Sequence, residues 1–197
     1  MFSGCISLVQ APELPATTLA EYCYFGMFQG CTSLTTAPEL PATTLSDSCY
    51  TGMFQGCTSL TQAPVLPATT LANTCYNFMF YNCTSLVNAP ELPATTLADS
   101  CYYGMFHGCS SLTQAPVLPA TVLAPYCYFH MFSGCSKLNY VKAMFTTDPS
   151  DLTNLMNAYV IDWLSDVSST GTFVKNSAAT WTNEQAGIPT GWTVETV

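Results

Sequence analysis

Residues 53–78 read MFQGCTSLTQAPVLPATTLANTCYNF, and this 26-residue unit sets the architecture of the chain. Nearly the same unit occurs five times in the 197-residue chain, and a sixth copy loses the pattern after Leu138. A Met-Phe pair begins each copy, at Met1, Met27, Met53, Met79, Met105 and Met131. A fixed period of roughly 20–50 residues is the signature of a solenoid, in which each repeat buries its apolar face against the next. We call each copy a coil, and coil one begins at Met1.

The apolar residues that are the same in the different copies form one set of repeat positions. Stacked coils bury each other only if each coil presents the same inward side chains, so these positions predict the interior of the solenoid. In coil three they are Met53, Phe54, Cys57, Leu60, Ala63, Leu66, Leu71, Cys75 and Tyr76.

The first half of each coil predicts short extended segments. In coil three, apolar residues recur at every third position, too closely for one face of a helix, and Pro64 and Pro67 interrupt them. Because each proline removes a backbone donor, regular pairing is confined to short strands. We therefore expect a strand over residues 59–63 and a second extended piece over residues 68–71.

The second half of each coil predicts a short helix. The apolar residues from Cys75 to Cys83 are spaced by four, one and three residues, which is typical of a helix. Polar residues that can act as N-caps precede this run, and glycines stand where the helix should end. The caps are Asp47, Asn73 and Asp99, and the glycines are Gly30, Gly56 and Gly108.

The pattern M-F-x-G-C-x-S-L, followed by a proline-bounded segment and a further leucine, resembles the BspA-like leucine-rich repeats of the Treponema pallidum type. The coil departs from the usual family pattern in its length, its added proline and the Cys-Tyr stretch before the methionine. The resemblance implies an α/β leucine-rich-repeat solenoid of short strands and short helices. Family members are typically bacterial surface proteins implicated in adhesion. The resemblance therefore also implies a cell-surface or secreted location and binding to a host or matrix protein or glycan.

The charge of the chain excludes several classes of partner. The formal net charge is −9, arginine is absent, and the cations are Lys137, Lys142 and Lys175. So few cations cannot neutralise a phosphate backbone or an anionic membrane surface, and we expect no nucleic-acid partner. No run approaches the ~18 apolar residues of a membrane helix, so we expect no membrane insertion in this chain. Met1 is followed at once by repeat sequence, without the basic region and apolar core of a signal peptide.

Eleven cysteines lie at two positions of the repeat. They are Cys5, Cys31, Cys57, Cys83, Cys109 and Cys135 at the first, and Cys23, Cys49, Cys75, Cys101 and Cys127 at the second. An odd number excludes complete pairing within the chain, although neighbouring coils ~4.8 Å apart are close enough for disulfides. Buried free thiols are favoured, because free cysteine behaves as a small apolar filler. No CxxC or CxxH pair occurs, so we predict neither a zinc site nor another metal or cofactor.

The end of the chain departs from the repeat. We place the repeat array, five full coils and a partial sixth, at residues 1–143 and a C-terminal capping module at residues 144–197. Asp148 and Pro149 form a helix start signal, which predicts a capping helix over residues 148–167. Its apolar face, expected to dock onto the last coil, holds Leu152, Leu155, Met156, Tyr159, Trp163 and Val167.

After residues 168–171, the segments GTFVKN, ATWTNE and GWTVETV alternate β-formers with turn residues. They predict two or three short strands that form a small β-hairpin. Pro189 and Gly191 are placed in its turn. Trp181 and Trp192 are expected to fill a small core, and stacking on a sugar ring is the alternative.

No catalytic residues are predicted. A nucleophile needs a base within hydrogen-bond reach. His107 and His130 are the two histidines, and although His107 is two residues from Cys109, the equivalent cysteines lie beside other residue types. We therefore expect no enzyme.

Two stripes of residues that vary between copies are the candidate binding surfaces. The first lies near the predicted helix and holds Thr51 and eight aromatic residues, Tyr22, Phe25, Phe78, Tyr81, Tyr103, Tyr126, Phe129 and His130. The interior does not demand these rings, and aromatic residues are enriched at interface centres, although they could equally shield the helix. The second stripe holds Gln10, Thr36, Gln62, Asn88 and Gln114, with Glu13, Glu39, Val65, Glu91 and Val117 nearby. It is either a hydrogen-bonded ladder or a flat, weakly acidic recognition surface.

These features favour a non-enzymatic binding module at a bacterial cell surface. The alternative is a structural repeat array that associates end to end through its N-terminal coil to form a fibre or coat.

Overall fold

The computed structural model describes residues 1–150 and 158–197. Successive coils stack on one another and are joined by parallel backbone pairing. In the repeat array this pairing consists of isolated single-residue bridges at two places of the coil. One place is represented by the bridge between Gln10 and Thr36, and the other by the bridge between Thr70 and Thr96. These places correspond to the predicted strand and the predicted extended piece, which the flanking prolines shorten to one paired residue each.

Three longer strands come after the repeats. They are β1 (Tyr140–Ala143), β2 (Gly171–Lys175) and β3 (Trp192–Thr196), and they form one sheet in the order β1-β2-β3. Both strand pairs are parallel, with Tyr140 opposite Thr172. Two of the predicted short strands are confirmed, as β2 and β3, but their predicted arrangement as a β-hairpin is wrong, because a hairpin joins antiparallel strands. The chain instead makes a crossover connection between successive strands, so that each new strand lies parallel to the one before it and extends the stack. The predicted boundary after residue 143 stays a prediction, and β1 and β2 pair across it.

The predicted short helices are wrong, and the described residues contain no helix. Consecutive turns occupy the corresponding stretches, which we call turn segments, at residues 21–30, 47–56, 73–82, 99–108 and 125–134. Their backbone N–H groups alternate between two acceptors. The N–H of Met53 donates to the carbonyl of Tyr50, three residues back, whereas the N–H of Phe54 donates to Met79 in the next coil. The turn segment thus satisfies half of its donors locally and half between coils.

A left-handed residue every four positions is what keeps the turn segment from being a helix. In the turn segment at residues 73–82 these residues are Thr74, Phe78 and Asn82, with φ of 52°, 52° and 57°. Left-handed backbone cannot continue a right-handed helix. The predicted N-caps also act differently, because Asp47 accepts a hydrogen bond at 3.0 Å from the backbone N–H of Asn73. These side chains link neighbouring coils.

Two ladders of aromatic rings fill the interior, as the shared apolar positions predict. Neighbouring phenylalanines from Phe28 to Phe132 stack with ring centroids 5.6–5.7 Å apart, and all five are fully buried. A parallel ladder of tyrosines runs from Tyr24 to Tyr128 with centroids 5.7–6.1 Å apart. Because each ring covers the next, the core continues from coil to coil.

Nine of the eleven cysteines are buried free thiols, as favoured, whereas Cys5 and Cys23 are exposed. At the first cysteine position the thiol donates to the carbonyl of a phenylalanine in the preceding coil, and for Cys57 and Phe28 the Sγ–O distance is 3.1 Å. Burial raises the pKa of the Cys57 thiol to about 12. These thiols therefore act as apolar filler with a satisfied S–H.

The described part of the predicted capping helix, residues 158–167, also forms turns. The remainder of its apolar face, including Leu152, Leu155 and Met156, lies outside the described residues. The carbonyl of Trp163 accepts a hydrogen bond from Phe132, and the indole stacks on Tyr128 at 6.0 Å. Trp163 thus packs on the last coil, as its place on the predicted docking face implied, but it does so from a turn.

Candidate functional site

Aromatic side chains of coils three to five converge on the outer side of the turn segments. We call this cluster the aromatic patch, and its members are Phe78, Tyr81, Tyr103, His107, Tyr126, Phe129 and His130. Tyr103 stacks on Phe129 with centroids 4.9 Å apart, and Tyr81 stacks on His107 at 4.7 Å. Phe78 meets Tyr103 edge to face at 5.0 Å. The structure therefore brings six of the eight aromatic residues of the predicted stripe into one continuous surface.

The turn geometry positions the patch through residues with positive φ. Phe78 and His130 have φ of 52° and 53° at the position where other coils carry Gly26, Gly52 and Gly104. A non-glycine residue in this conformation costs roughly 1–2 kcal/mol. Two ring-bearing side chains are therefore held at a site that glycine would occupy without strain.

Gly104 provides the space into which the Phe78 ring fits. A Cβ added at Gly104 would lie 2.5 Å from Cε1 of Phe78, which is closer than real contacts allow. The absence of a side chain in one coil thus complements the added ring in the coil before it.

His107 is the patch residue that the sequence analysis missed, although it occupies the same repeat position as Tyr81. Partial burial and the neighbouring His130 lower the pKa of His107, and Asp166 acts in the opposite direction. Burial disfavours the charged imidazolium, so the neutral ring is stabilised at the patch. A comparison of this repeat position between the copies could have identified it, since the position holds Gln29, Gln55, Tyr81 and His107.

Tyr22 and Phe25 form a separate pair in coil one. Their ring centroids lie 6.1 Å apart, and their side chains are 60% and 55% exposed. Coil two carries small residues at the corresponding positions, Ser48 and Thr51. The predicted aromatic stripe is therefore two surfaces, the pair and the aromatic patch.

The polar stripe lies on a different part of each coil. Gln10, Thr36, Gln62 and Asn88 are linked in sequence by parallel bridges, Gln114 is bridged to Tyr140, and the five predicted residues are exposed. They stand just before the proline-rich corner of each coil, whereas the patch residues lie within the turn segments. The polar stripe and the aromatic patch are therefore formed by different segments of the repeat.

A groove runs beside the polar stripe, along the Ala-Pro-x-Leu-Pro corner of each coil. We call it the proline groove. A cavity of about 460 Å³ lies between the corners of coils one and two, and others of about 280 and 340 Å³ lie between coils two and three and between coils four and five. Its walls are mainly proline, alanine and leucine, and Gln10 and Thr36 of the polar stripe also line the first cavity. One lining residue per coil varies: Glu13, Glu39, Val65, Glu91 and Val117.

The family comparison agrees with this architecture. The family model described as "BspA type Leucine rich repeat region (6 copies)" matches residues 1–113 and 26–148. The chain belongs to the BspA-type leucine-rich-repeat family. No curated protein and no solved structure matches it.

The thiol and imidazole nearest in sequence do not form a catalytic pair in this BspA-type protein. The Cys109 thiol is fully buried and donates to the carbonyl of Phe80 at 3.1 Å. Burial raises the pKa of Cys109 well above its ordinary value, so the reactive thiolate is disfavoured. His107 belongs instead to the aromatic patch. Among the described residues no group of three or more His, Cys, Asp or Glu side chains is placed to hold a metal ion.

The two tryptophans considered for sugar stacking are buried. Trp181 is 2% exposed and donates from Nε1 to the carbonyl of Phe145, and Trp192 is 6% exposed and donates to Ser168. The expectation that they fill a core is confirmed, although the sheet is parallel. Within residues 1–150 and 158–197, no helix has the length and apolar character needed to cross a bilayer.

Proposed function

We propose that this BspA-type protein is a non-enzymatic binding module of a bacterial cell surface and that the aromatic patch holds its ligand, a protein or a glycan. The observation that carries the proposal is the presence of Phe78 and His130 at positive-φ positions where glycine would be unstrained. Strained residues concentrate at functional sites, because folding alone does not favour them.

The fold does not require the patch. Coil two forms the same turn segment with Ser48, Thr51 and Gly52 at the positions that hold patch residues in other coils. Its backbone bonds to coil three follow the same alternation. The rings in coils three to five are therefore additions to a turn that is complete without them.

The half-buried rings suit a ligand with an apolar face. Tyr103 and Phe129 stack nearly parallel, with an angle of 15° between their planes, and both are partly exposed. Aromatic side chains contribute large contact areas at interfaces, and tyrosine also offers a hydroxyl for hydrogen bonding. A sugar ring or an aromatic or proline side chain of a protein fits such a surface.

The test is binding of the purified chain to a panel of mucins, matrix proteins and glycans at physiological salt. The double variant Tyr103→Ser with Phe129→Ser is expected to lose at least about tenfold in affinity for the bound panel member, since the residues that dominate an interface are enriched in tyrosine and cost about 2 kcal/mol or more when truncated. The matched control is Tyr22→Ser with Phe25→Ser, which removes the same residue types from coil one. It should bind as the unaltered chain does.

Unchanged affinity in the Tyr103 and Phe129 variant would overturn the assignment of the aromatic patch. A variant with Gln10, Gln62 and Gln114 changed to alanine tests the polar stripe in the same assay. If no panel member binds and the mass of the protein in light scattering rises with its concentration, the result would favour the self-assembling array.

A further inference from the structure

We propose that the proline groove is a second docking surface and that its occupant is an extended polypeptide segment carrying lysine or arginine at intervals. The segment lies along the solenoid axis, so that it crosses successive coils. This inference does not depend on the aromatic patch, which lies on another part of the coil.

The shape of the groove fits an extended chain. Neighbouring cavities share residues, since Pro38, Glu39 and Pro41 line both the cavity between coils one and two and the one between coils two and three. The groove is therefore continuous across coils one to three, and a further cavity lies between the corners of coils four and five. Its proline walls present few backbone N–H donors, so side-chain contacts decide what binds there.

The charge of the groove selects a cationic occupant. Glu13, Glu39 and Glu91 are exposed on its lining, and coils one to five contain no lysine or arginine that could neutralise them. The three lysines of the chain begin at Lys137. A basic segment would supply positive charges opposite these glutamates. The net charge of −9 also attracts such a segment over a distance and so speeds its association.

The repeat spacing sets the spacing of the basic residues. Glu39 and Glu91 are two coils apart, a separation on the order of 10 Å at ~4.8 Å per coil. An extended chain advances ~3.3 Å per residue, so two basic residues three positions apart match Glu39 and Glu91, whereas Glu13 and Glu39 lie on adjacent coils, ~4.8 Å apart. Val65 lies between these two glutamates and is 77% exposed, where it can contact the aliphatic part of a lysine or arginine side chain.

The probe is a short synthetic peptide with lysine at every third position, compared with a peptide of the same composition whose lysines are adjacent. Fluorescence anisotropy with the full chain at low salt should show tighter binding of the spaced peptide. Glu39→Gln with Glu91→Gln should weaken that binding roughly three- to tenfold, as expected for loss of two exposed ion pairs. The matched control is Glu184→Gln with Glu195→Gln, which changes the net charge equally at exposed sites outside the groove.

Val65→Glu provides the converse test. It places a carboxylate between Glu39 and Glu91 at an exposed position, so it should tighten binding of the spaced peptide severalfold. Equal weakening by the groove variant and its control, or equal binding of the two peptides, would reduce the effect to net charge and overturn the proposal. The variant with Tyr103 and Phe129 changed to serine should bind the spaced peptide normally, which separates failure here from failure of the aromatic patch.

Discussion

The interior aromatic ladders and the aromatic patch are both built from stacked rings, but the fold requires the interior rings and does not require the patch rings. Phe80 and Phe106 stack at 5.6 Å in the interior, and Tyr103 and Phe129 stack at 4.9 Å in the patch. The interior phenylalanines from Phe28 to Phe132 are fully buried and recur in each coil, because each must cover its neighbour. The patch rings are partly exposed and differ between coils. Stacking between coils is thus necessary inside and optional outside, which leaves the outer surface free to diversify.

The largest expected difference between the interior and the surface is in the rate at which their cysteine thiols are labelled. In the native protein, Cys5 and Cys23 are expected to react with a maleimide at least about a thousandfold faster than the nine buried cysteines, because labelling of those requires opening of the fold. Burial also raises the pKa of Cys49 to about 11, which removes the reactive thiolate. Mass spectrometry of labelled peptides measures the rates, and denaturant should expose all eleven. Rapid native labelling of Cys83 would contradict a closed interior.

Two phenylalanines separated by one residue provide the next contrast. Phe80→Ala is expected to lower the free energy of unfolding by about 3–5 kcal/mol, because it leaves a cavity in the ladder. Phe78→Gly should change it by less than about 1 kcal/mol, since relief of the positive-φ strain offsets the lost ring contacts. Urea unfolding measures both. Equal losses would mean that the patch is part of the core.

Gly104→Ala tests the fit between the patch and the turn beneath it. It should cost about 2–3 kcal/mol, from the positive φ of 56° and the clash with the Phe78 ring. The control Gly52→Ala has a similar φ of 60° but meets only the flexible end of Gln55, so it should cost about 1 kcal/mol. In a double-mutant cycle, Phe78→Gly should remove the difference. Additive losses would show that the ring does not occupy the space over Gly104.

The smallest expected effect is a pH dependence from His107. Its folded-state pKa is lowered, so the unfolded chain takes up the proton first as the pH falls below the ordinary value of 6.5. Stability is therefore full above that value and declines as the pH falls toward the folded-state pKa. The melting temperature should drop between about pH 7 and pH 5. The melting temperature of the variant His107→Gln, which carries the residue found in coils two and three, should drop less. An equal drop in the variant would show that His107 is not the source of the pH dependence.

The misassigned helix shows what local periodicity leaves out. The spacing from Cys75 to Cys83 fits a helix because four-residue turns place apolar residues at almost the same intervals as a helical turn. The distinguishing bonds join residues 25 positions apart, such as Phe54 to Met79. A local signal did exist, since the pairs Gly26 and Gly30 or Gly52 and Gly56 recur at the four-residue spacing of the left-handed positions.

The C-terminal sheet was misassigned for a related reason. Strand-forming segments separated by turn residues predict a hairpin when only local pairing is considered. Here β1 already offers an unpaired edge at the end of the repeats, and β2 pairs with it in parallel at Tyr140 and Thr172. The last coil of a solenoid is a template, and the C-terminal strands extend the stack by pairing with it.

The amino-acid pattern was enough to establish the solenoid, its period and its interior, because stacked coils require the same buried residue at each repeat position. It also identified most of the aromatic residues that vary. The three-dimensional structure was needed to show that the second half of each coil is a chain of turns, that the last strands are parallel, and that His107 joins six residues of the predicted stripe. The physical reason is that these features depend on hydrogen bonds and contacts between coils, and the local pattern of residues does not record them.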